Sequence, residues 1–297
     1  MSDLPFLDRK RMTNLGEATA IRLRRAARPV VTDREIIDAI LEVYREGKVR
    51  YLRGDAPSAA TFERTRAILR AEKIIDRDED YGRLWRVNTV HDSSADDIAC
   101  LVDPTVYISH LSAMQWLGLT NRRPKELYLT RGSEHVWNTI KENILETDNC
   151  FKEFGLSLFR IHHPSVVRGR SLHIYTSKFY GKSKSMRNSF ARVSSAGQTF
   201  HDMLAKPELC GGMPHVLEIF DDRATSYIQE IIGTIAASDL PIVKVRAGYV
   251  LDERLGVKDA RINEWQSFAQ RGGSRVLDPQ KSFAPTYSEK WMLSLNV

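Results

Sequence analysis

A helical pattern of apolar residues follows Thr32. Glu35 stands three residues after Thr32, the spacing of a capping box at a helix start. Gly47 suits the left-handed conformation that ends many helices. The pattern predicts a helix between Thr32 and Gly47 with an apolar face of Ile36, Ile37, Ile40, Leu41 and Tyr44. Residues 12–27 before it have apolar groups at helical spacing among arginines, and Pro29 ends that segment.

A second helix and a hairpin come next. Pro57 and Ser58 open the helix, which is predicted to end near Lys73. Two extended segments, 74–75 and 84–87, then flank the polar turn 77–83. Helix, helix and hairpin in this order are typical of a winged helix-turn-helix. We therefore predict a DNA-binding domain of this type at residues 29–92, preceded by a basic arm or helix at residues 1–28.

The second half, residues 93–297, mixes helices and strands without strict alternation, so the chain is predicted to be α+β. The boundary is placed at the polar sequence from His91 to Ser94. Predicted helices cover 96–101, 111–117, 134–147, 208–220 and 226–237. Strands are predicted at 126–130, 156–162 and 171–176, with an extended segment at 104–109 and a terminal strand candidate at 291–295, while 193–204 turns from strand into helix. Residues 243–251 and 275–277 are predicted as short β or loop segments.

Basic residues are concentrated in two places, although the net charge is only +6. Residues 9–28 contain seven basic side chains and one acid, and residues 154–201 contain eight and no acid. One interpretation is a solvated face. The other is an anionic partner, because clustered charge raises association rates and non-specific affinity.

The winged-helix interpretation assigns roles to specific residues. Small and short polar side chains at the start of the second helix let the backbone approach DNA bases, and arginines reach guanines or phosphates. The candidate DNA-binding residues are Ser58, Ala59, Thr61, Arg64, Arg66, Arg77, Arg83, Arg22, Arg24 and Arg25. Four acids in the wing, Asp76, Asp78, Glu79 and Asp80, count against tight wing–phosphate contact. Winged helices also serve as protein–protein modules, which remains an alternative.

Three stretches of the second half, read together, resemble one family. They are residues 107–120 with the strand 127–130, residues 193–204 running into 207–212, and residues 246–251 with a tryptophan, Trp291, near the C-terminus. Their order is similar to that of the AbiEi antitoxins of type IV toxin–antitoxin systems, over roughly residues 32–297. This chain departs from the family at Gln198, where relatives usually have arginine, and in its basic arm and its helix at 134–147.

The resemblance implies two activities. Such a protein represses its own operon through double-stranded DNA, binding inverted repeats in its promoter. It also counters a nucleotidyltransferase-like toxin without forming a stable complex. The basic stretch then becomes the candidate antitoxin surface, and RNA is a further candidate partner because aromatic residues Tyr175, Phe179 and Tyr180 interleave with the charges. The candidate surface consists of Arg168, Arg170, Lys182, Lys184 and Arg187.

The sequence offers little support for catalysis. His162 and His163 lack a third ligand at useful spacing and are interpreted as structural, and Gly132-Ser133 is not followed by the Asp-x-Asp of a nucleotidyltransferase. No metal site and no cofactor are predicted, and the chain is not predicted to be an enzyme. Three scattered cysteines and no apolar run long enough for a membrane helix favour a reducing cytoplasm without membrane contact. A ligand-sensing transcription factor without a toxin partner and a nucleic-acid enzyme remain alternative functions.

Overall fold

The structure is a computed structural model that describes residues 14–50, 52, 54–177, 180–270 and 275–297. Three residues of the predicted basic arm, Arg9, Lys10 and Arg11, therefore lie outside the described residues. The same holds for Lys178 and Phe179 of the basic stretch.

The elements up to residue 153 occur in the following order: α1 (Asn14–Ala26), β1 (Val30–Val31), α2 (Asp33–Glu46), α3 (Ala59–Ala71), β2 (Ile75–Arg77), β3 (Trp85–Val87), α4 (Ala95–Val102), β4 (Val106–Ile108), α5 (His110–Trp116), β5 (Leu127–Gly132), α6 (Glu134–Thr147) and α7 (Cys150–Glu153).

The later elements are β6 (Val166–Val167), β7 (Arg170–Ser177), β8 (Ser183–Ser185), β9 (Arg192–Ser194), α8 (Ala196–Ala205), α9 (Met213–Arg223), α10 (Ile228–Ala236), α11 (Pro241–Gly248), α12 (Ala260–Glu264), β10 (Tyr287–Ser288) and β11 (Leu293–Ser294). Short 3-10 turns lie at Pro207–Cys210, Ala224–Tyr227 and Trp265–Phe268, and Tyr249–Arg254 forms a π-helical turn. Helices and a mixed sheet occur together, as the α+β prediction requires.

The chain forms two compact units. Of the described residues, those within 14–104 and 134–169 form unit 1, and those within 105–133 and 170–297 form unit 2. This division differs from the boundary expected at residue 93. The polar sequence there is not a linker, because Arg86 binds Asp92 at 2.9 Å and Ser94 caps α4, which packs on β1.

Unit 1 is built on a three-stranded antiparallel sheet in the order β1-β3-β2. The capping box of α2 forms as predicted: the Thr32 hydroxyl accepts from the Glu35 amide and the Glu35 carboxylate accepts from the Thr32 amide. Gly47 ends α2 with a φ of 60°. α1 packs on α2 and α3, and the core beneath them includes Leu23, Ile36, Ile40, Phe62 and Trp85.

Unit 2 contains a mixed sheet with the strand order β7-β5-β4-β9-β8. β5 runs parallel to β7 and antiparallel to β4, whereas β9 is parallel to β4. The helices from α8 to α11 pack around a large apolar core that includes Phe200, Phe220, Ile231, Val245 and Trp291. None of the described helices is long and apolar enough to span a membrane.

Two predicted segments are wrong. Residues 156–162 form no strand. Leu156 and Leu158 are half-buried while Ser157 and Phe159 are exposed, so the alternation there reflects alternate burial and does not report hydrogen-bond partners for the backbone. Residues 243–251 are helical, not β, because burial on several faces of α11 outweighs the strand preference of Val243 and Val245.

Candidate nucleic-acid interface

The first two turns of α3 present small and polar groups to solvent. Ser58 caps the helix by accepting the Thr61 amide at 3.3 Å, and Ala59 and Ala60 beside it are exposed. Arg64, one turn later, is also exposed, and no carboxylate of the described residues pairs with it. Free amide groups and a positive dipole lie at this helix end, so it attracts anions.

Arg66 lies in the same helix but has a different environment. Its guanidinium pairs with Asp33 at 3.0 Å and with Glu63 at 2.5 Å. It also lies 4.8 Å from the Phe62 ring centroid and 5.6 Å from that of Trp85. Arg66 therefore ties α3 to α2 and to the sheet, and its charge is already compensated.

The arginines of α1 divide in the same way. Arg22 pairs with Glu42 and Glu46 of α2. Arg24 and Arg25, in the last turn of α1, are exposed and have no carboxylate partner among the described residues. Two of the three predicted arm residues are thus available to an anionic partner.

The hairpin β2–β3 holds the two remaining predicted arginines. Arg77 stacks on Trp85, with its guanidinium carbon 3.6 Å from the ring centroid, and donates to the backbone oxygen of Arg83 at 2.9 Å. Burial lowers the pKa of Arg77, although nearby Asp33 opposes that effect. Arg83 is exposed and lies 5.1 Å from the Phe159 ring centroid.

Arg168 binds the tip of this hairpin and is not a free basic residue. Its guanidinium reaches Asp78 at 2.6 Å, Asp80, and Asp92 at 3.0 Å, and we call these four residues the Arg168 cluster. The Asp78 side chain is 1% exposed and accepts the amides of Asp80 and Tyr81 at 3.1 and 2.9 Å. Burial lowers the pKa of Arg168, but hydrogen bonds to Asp78 and Asp80 outweigh it and raise the pKa overall. The assignment of Arg168 to an antitoxin surface is therefore replaced by a structural role.

A second contact fixes the hairpin tip in place. The Tyr81 hydroxyl lies 2.7 Å from Nδ1 of His163, whose Nε2 lies 3.5 Å from the buried Asp103 carboxylate. Burial and the carboxylates of Asp80 and Asp78 raise the pKa of Tyr81 well above its ordinary value, so its phenol stays protonated. His163 thus lies between Tyr81 and Asp103. The described residues contain no group of three or more metal-ligating side chains.

The other predicted antitoxin residues lie in unit 2. Lys182, Lys184 and Arg187 are exposed, and Lys184 approaches Glu230 at 3.8 Å. Arg170, at the start of β7, is half-buried and engaged by neighbours. Arg192 donates to the backbone oxygen of Val106 at 2.8 Å. The basic stretch is thus divided. In unit 1 its arginines form ion pairs, whereas in unit 2 it contributes a backbone contact and three exposed side chains.

Sequence reasoning missed the Arg168 cluster. The signal was present as two opposite features: four acids within residues 76–80 and a stretch without acids at 154–201. Neither feature predicts the pairing, because charge composition does not reveal which distant segments meet.

Comparisons with known proteins do not identify a family for this chain. No family model matches it, and no curated protein matches it. Among solved structures it is similar to the RV2827C protein from Mycobacterium tuberculosis, with a TM-score of 0.48 and 11% identity over 95% of this chain and 92% of that one. This degree of likeness establishes neither a shared fold nor a shared function.

Proposed function

We propose that this chain is a DNA-binding transcriptional autorepressor whose unit 1 contains a winged helix-turn-helix. The observation that carries the proposal is the exposed start of α3, where Ser58, Ala59 and Ala60 adjoin the unpaired Arg64. In this proposal α3 is the recognition helix, β2 and β3 form the wing, and the DNA is the promoter of the chain's own gene with its inverted repeats.

The support from unit 1 is the element order α1-β1-α2-α3-β2-β3 with the sheet order β1-β3-β2. A recognition helix of this kind enters the major groove with its N-terminal end first. The role of the wing is smaller than the sequence indicated, since Arg168 binds Asp78 at its tip and His163 binds Tyr81 there. Phosphate contacts are instead assigned to Arg24 and Arg25 of α1.

The test is a fluorescence-anisotropy titration with promoter DNA and with a scrambled duplex of equal length. Arg64→Ala is expected to weaken promoter binding by about 1–3 kcal/mol if Arg64 contacts a base, with a smaller effect on the scrambled duplex. Arg223→Ala, which removes an exposed arginine from the end of α9, serves as the matched control and is expected to change neither affinity. Equal wild-type affinity for both duplexes would contradict the proposal.

We propose further that unit 2 counters a nucleotidyltransferase-like toxin encoded beside this gene. The support is the resemblance of residues 107–120, 193–204 and 246–251 to AbiEi antitoxins, together with three exposed basic side chains. In this role Lys182, Lys184 and Arg187 bind the toxin's RNA target and need no stable complex with the toxin.

Co-expression with the neighbouring toxin tests this role. The triple variant Lys182→Ala, Lys184→Ala and Arg187→Ala is expected to lose protection while keeping promoter affinity. The triple variant Arg123→Ala, Lys125→Ala and Arg223→Ala removes the same charge from exposed sites of unit 2 and is expected to protect fully. Full protection by the first triple variant would exclude this surface as the antitoxin site.

A further inference from the structure

Unit 1 contains a cavity of about 650 Å³ next to α3. Its walls come from the start of α2, from α3, α6 and α7, and from residues 154–161. Small-molecule sites in proteins usually have volumes of roughly 300–1,000 Å³ and mainly apolar walls with a few polar groups. The aromatic side chains that line this cavity are Phe62, Trp137, Phe151, Phe154 and Phe159.

Most charged groups around the cavity are paired with each other. Arg66 binds Asp33 and Glu63, Arg34 binds Asp148 at 2.6 Å, and Arg28 binds Glu35 at 2.6 Å. The carboxylate of Asp103 faces His163 at 3.5 Å. Each of these three arginines is compensated by at least one carboxylate of the lining.

Arg83 is the exception among the charged lining residues. It is exposed, it forms no ion pair with a carboxylate in the described parts of the chain, and its guanidinium lies 5.1 Å from the Phe159 ring centroid. An uncompensated guanidinium beside an aromatic wall binds a carboxylate or sulfonate whose apolar part enters the cavity.

We propose that this cavity binds a small aromatic monoanion, with its rings among Phe62, Trp137 and Phe151 and its acid group on Arg83. The site does not depend on the proposed function. It touches α3 through Phe62, so a ligand there contacts the helix to which DNA recognition is assigned.

Two dyes with the same naphthalene ring system test separately the aromatic site in the cavity and the contact of an acid group with Arg83. 8-Anilinonaphthalene-1-sulfonate carries one negative charge, and N-phenyl-1-naphthylamine carries none. Both are expected to bind the purified full chain with increased fluorescence, and the anionic dye is expected to bind more tightly. Arg83→Gln is expected to lower the affinity for the anionic dye by about tenfold, because one charge-assisted hydrogen bond is lost. The affinity for the neutral dye is expected to fall by less than about twofold.

Filling the cavity tests its location. Ile144→Trp places a larger side chain on the α6 wall and is expected to abolish binding of both dyes. Leu158→Phe enlarges a side chain on another wall of the cavity. It is the alternative variant if Ile144→Trp fails to fold. Arg70→Gln, an exposed arginine of α3 outside the cavity lining, is the matched control and is expected to leave both affinities unchanged.

Three results would overturn the proposal. The first is no dye binding by the wild-type chain. The second is unchanged binding in a folded filled variant, which would place the dyes elsewhere. The third is an anionic-dye affinity that Arg83→Gln leaves unchanged, which would remove the anion from the proposed ligand class.

Discussion

Arg168 and Asp78, 90 residues apart in the chain, form an ion pair of 2.6 Å in which the Asp78 side chain is 1% exposed. The pair joins the tip of the β2–β3 hairpin to the segment that follows α7. A buried carboxylate costs several kcal/mol in desolvation, so Asp78 depends on Arg168 and on two backbone amides for compensation.

Removing Arg168 is expected to destabilise unit 1 strongly. Arg168→Ala leaves Asp78 buried without its countercharge, and breaking such a pair from one side costs about 3–5 kcal/mol. Urea unfolding followed by tryptophan fluorescence measures the loss, with Trp85 and Trp137 as the tryptophans of unit 1.

Arg187→Ala is the control, since Arg187 is exposed. A double change, Arg168→Met with Asp78→Asn, removes both charges and is expected to recover part of the stability. Equal stability of Arg168→Ala and Arg187→Ala would mean that the pair contributes nothing measurable.

The exposed arginines of α1 are expected to act on DNA affinity through salt. Arg24→Gln with Arg25→Gln should weaken binding to promoter and scrambled DNA alike and reduce the salt slope by about 0.9 for each phosphate that is no longer neutralised. Anisotropy titrations at several salt concentrations measure this slope. Arg22→Gln is expected to change it less, because Arg22 is already paired with Glu42 and Glu46. A changed sequence preference in the double variant would show instead that α1 reads bases.

Asp252 is expected to make the stability of unit 2 depend on pH. Burial raises the pKa of this carboxyl, but hydrogen bonds and charge from Lys290 and Lys258 outweigh burial and lower the pKa below its ordinary value. A carboxyl whose pKa is lower in the folded than in the unfolded state stabilises the fold at pH values above its unfolded-state pKa. This stabilisation is lost as the pH falls through the folded-state pKa.

Asp252→Asn is therefore expected to lower the free energy of unfolding by roughly 1 kcal/mol at neutral pH and by much less in strong acid. Urea titrations at both pH values give the difference. Asp222→Asn, at an exposed position of α9, is expected to have no effect at either pH. A stability loss for Asp252→Asn that does not change with pH would exclude this explanation.

Local features of unit 1 are predicted well from sequence, because local chemistry decides them. Thr32 and Glu35 form their capping box whatever the rest of the chain does, and Ser58 likewise starts α3. The partners of Arg168 are distant in sequence, as are Asp33 and Trp85 beside Arg66, and a free arginine has the same sequence appearance as a paired one. Arg64 and Arg66, two residues apart, differ because Arg66 contacts Asp33 and Trp85 on one side of α3.

The errors in unit 2 have a different physical origin. Valines in α11 favour a strand by intrinsic preference, yet Val243, Val245 and Ala247 are buried by helices on several sides. The cost of β-branched residues in a helix is a few tenths of a kcal/mol each, whereas burying a valine contributes about 1.5–3 kcal/mol. Tertiary burial, which the sequence pattern does not show, therefore decides the conformation.

Two helical glycines of unit 2 are expected to respond to alanine with opposite signs. A Cβ atom added at position 248 would lie 2.1 Å from Cζ3 of the buried Trp291. A Cβ atom added at Gly233 of α10 would meet nothing within 4 Å. Gly233→Ala should stabilise the protein by about 0.5–1 kcal/mol, because alanine has less backbone freedom to lose on folding. Gly248→Ala should destabilise it by about 1–3 kcal/mol, because the Trp291 ring must move within a closely packed core. Thermal melts of the two variants measure both effects, and a stabilising Gly248→Ala would show that α11 and Trp291 do not pack as closely as described.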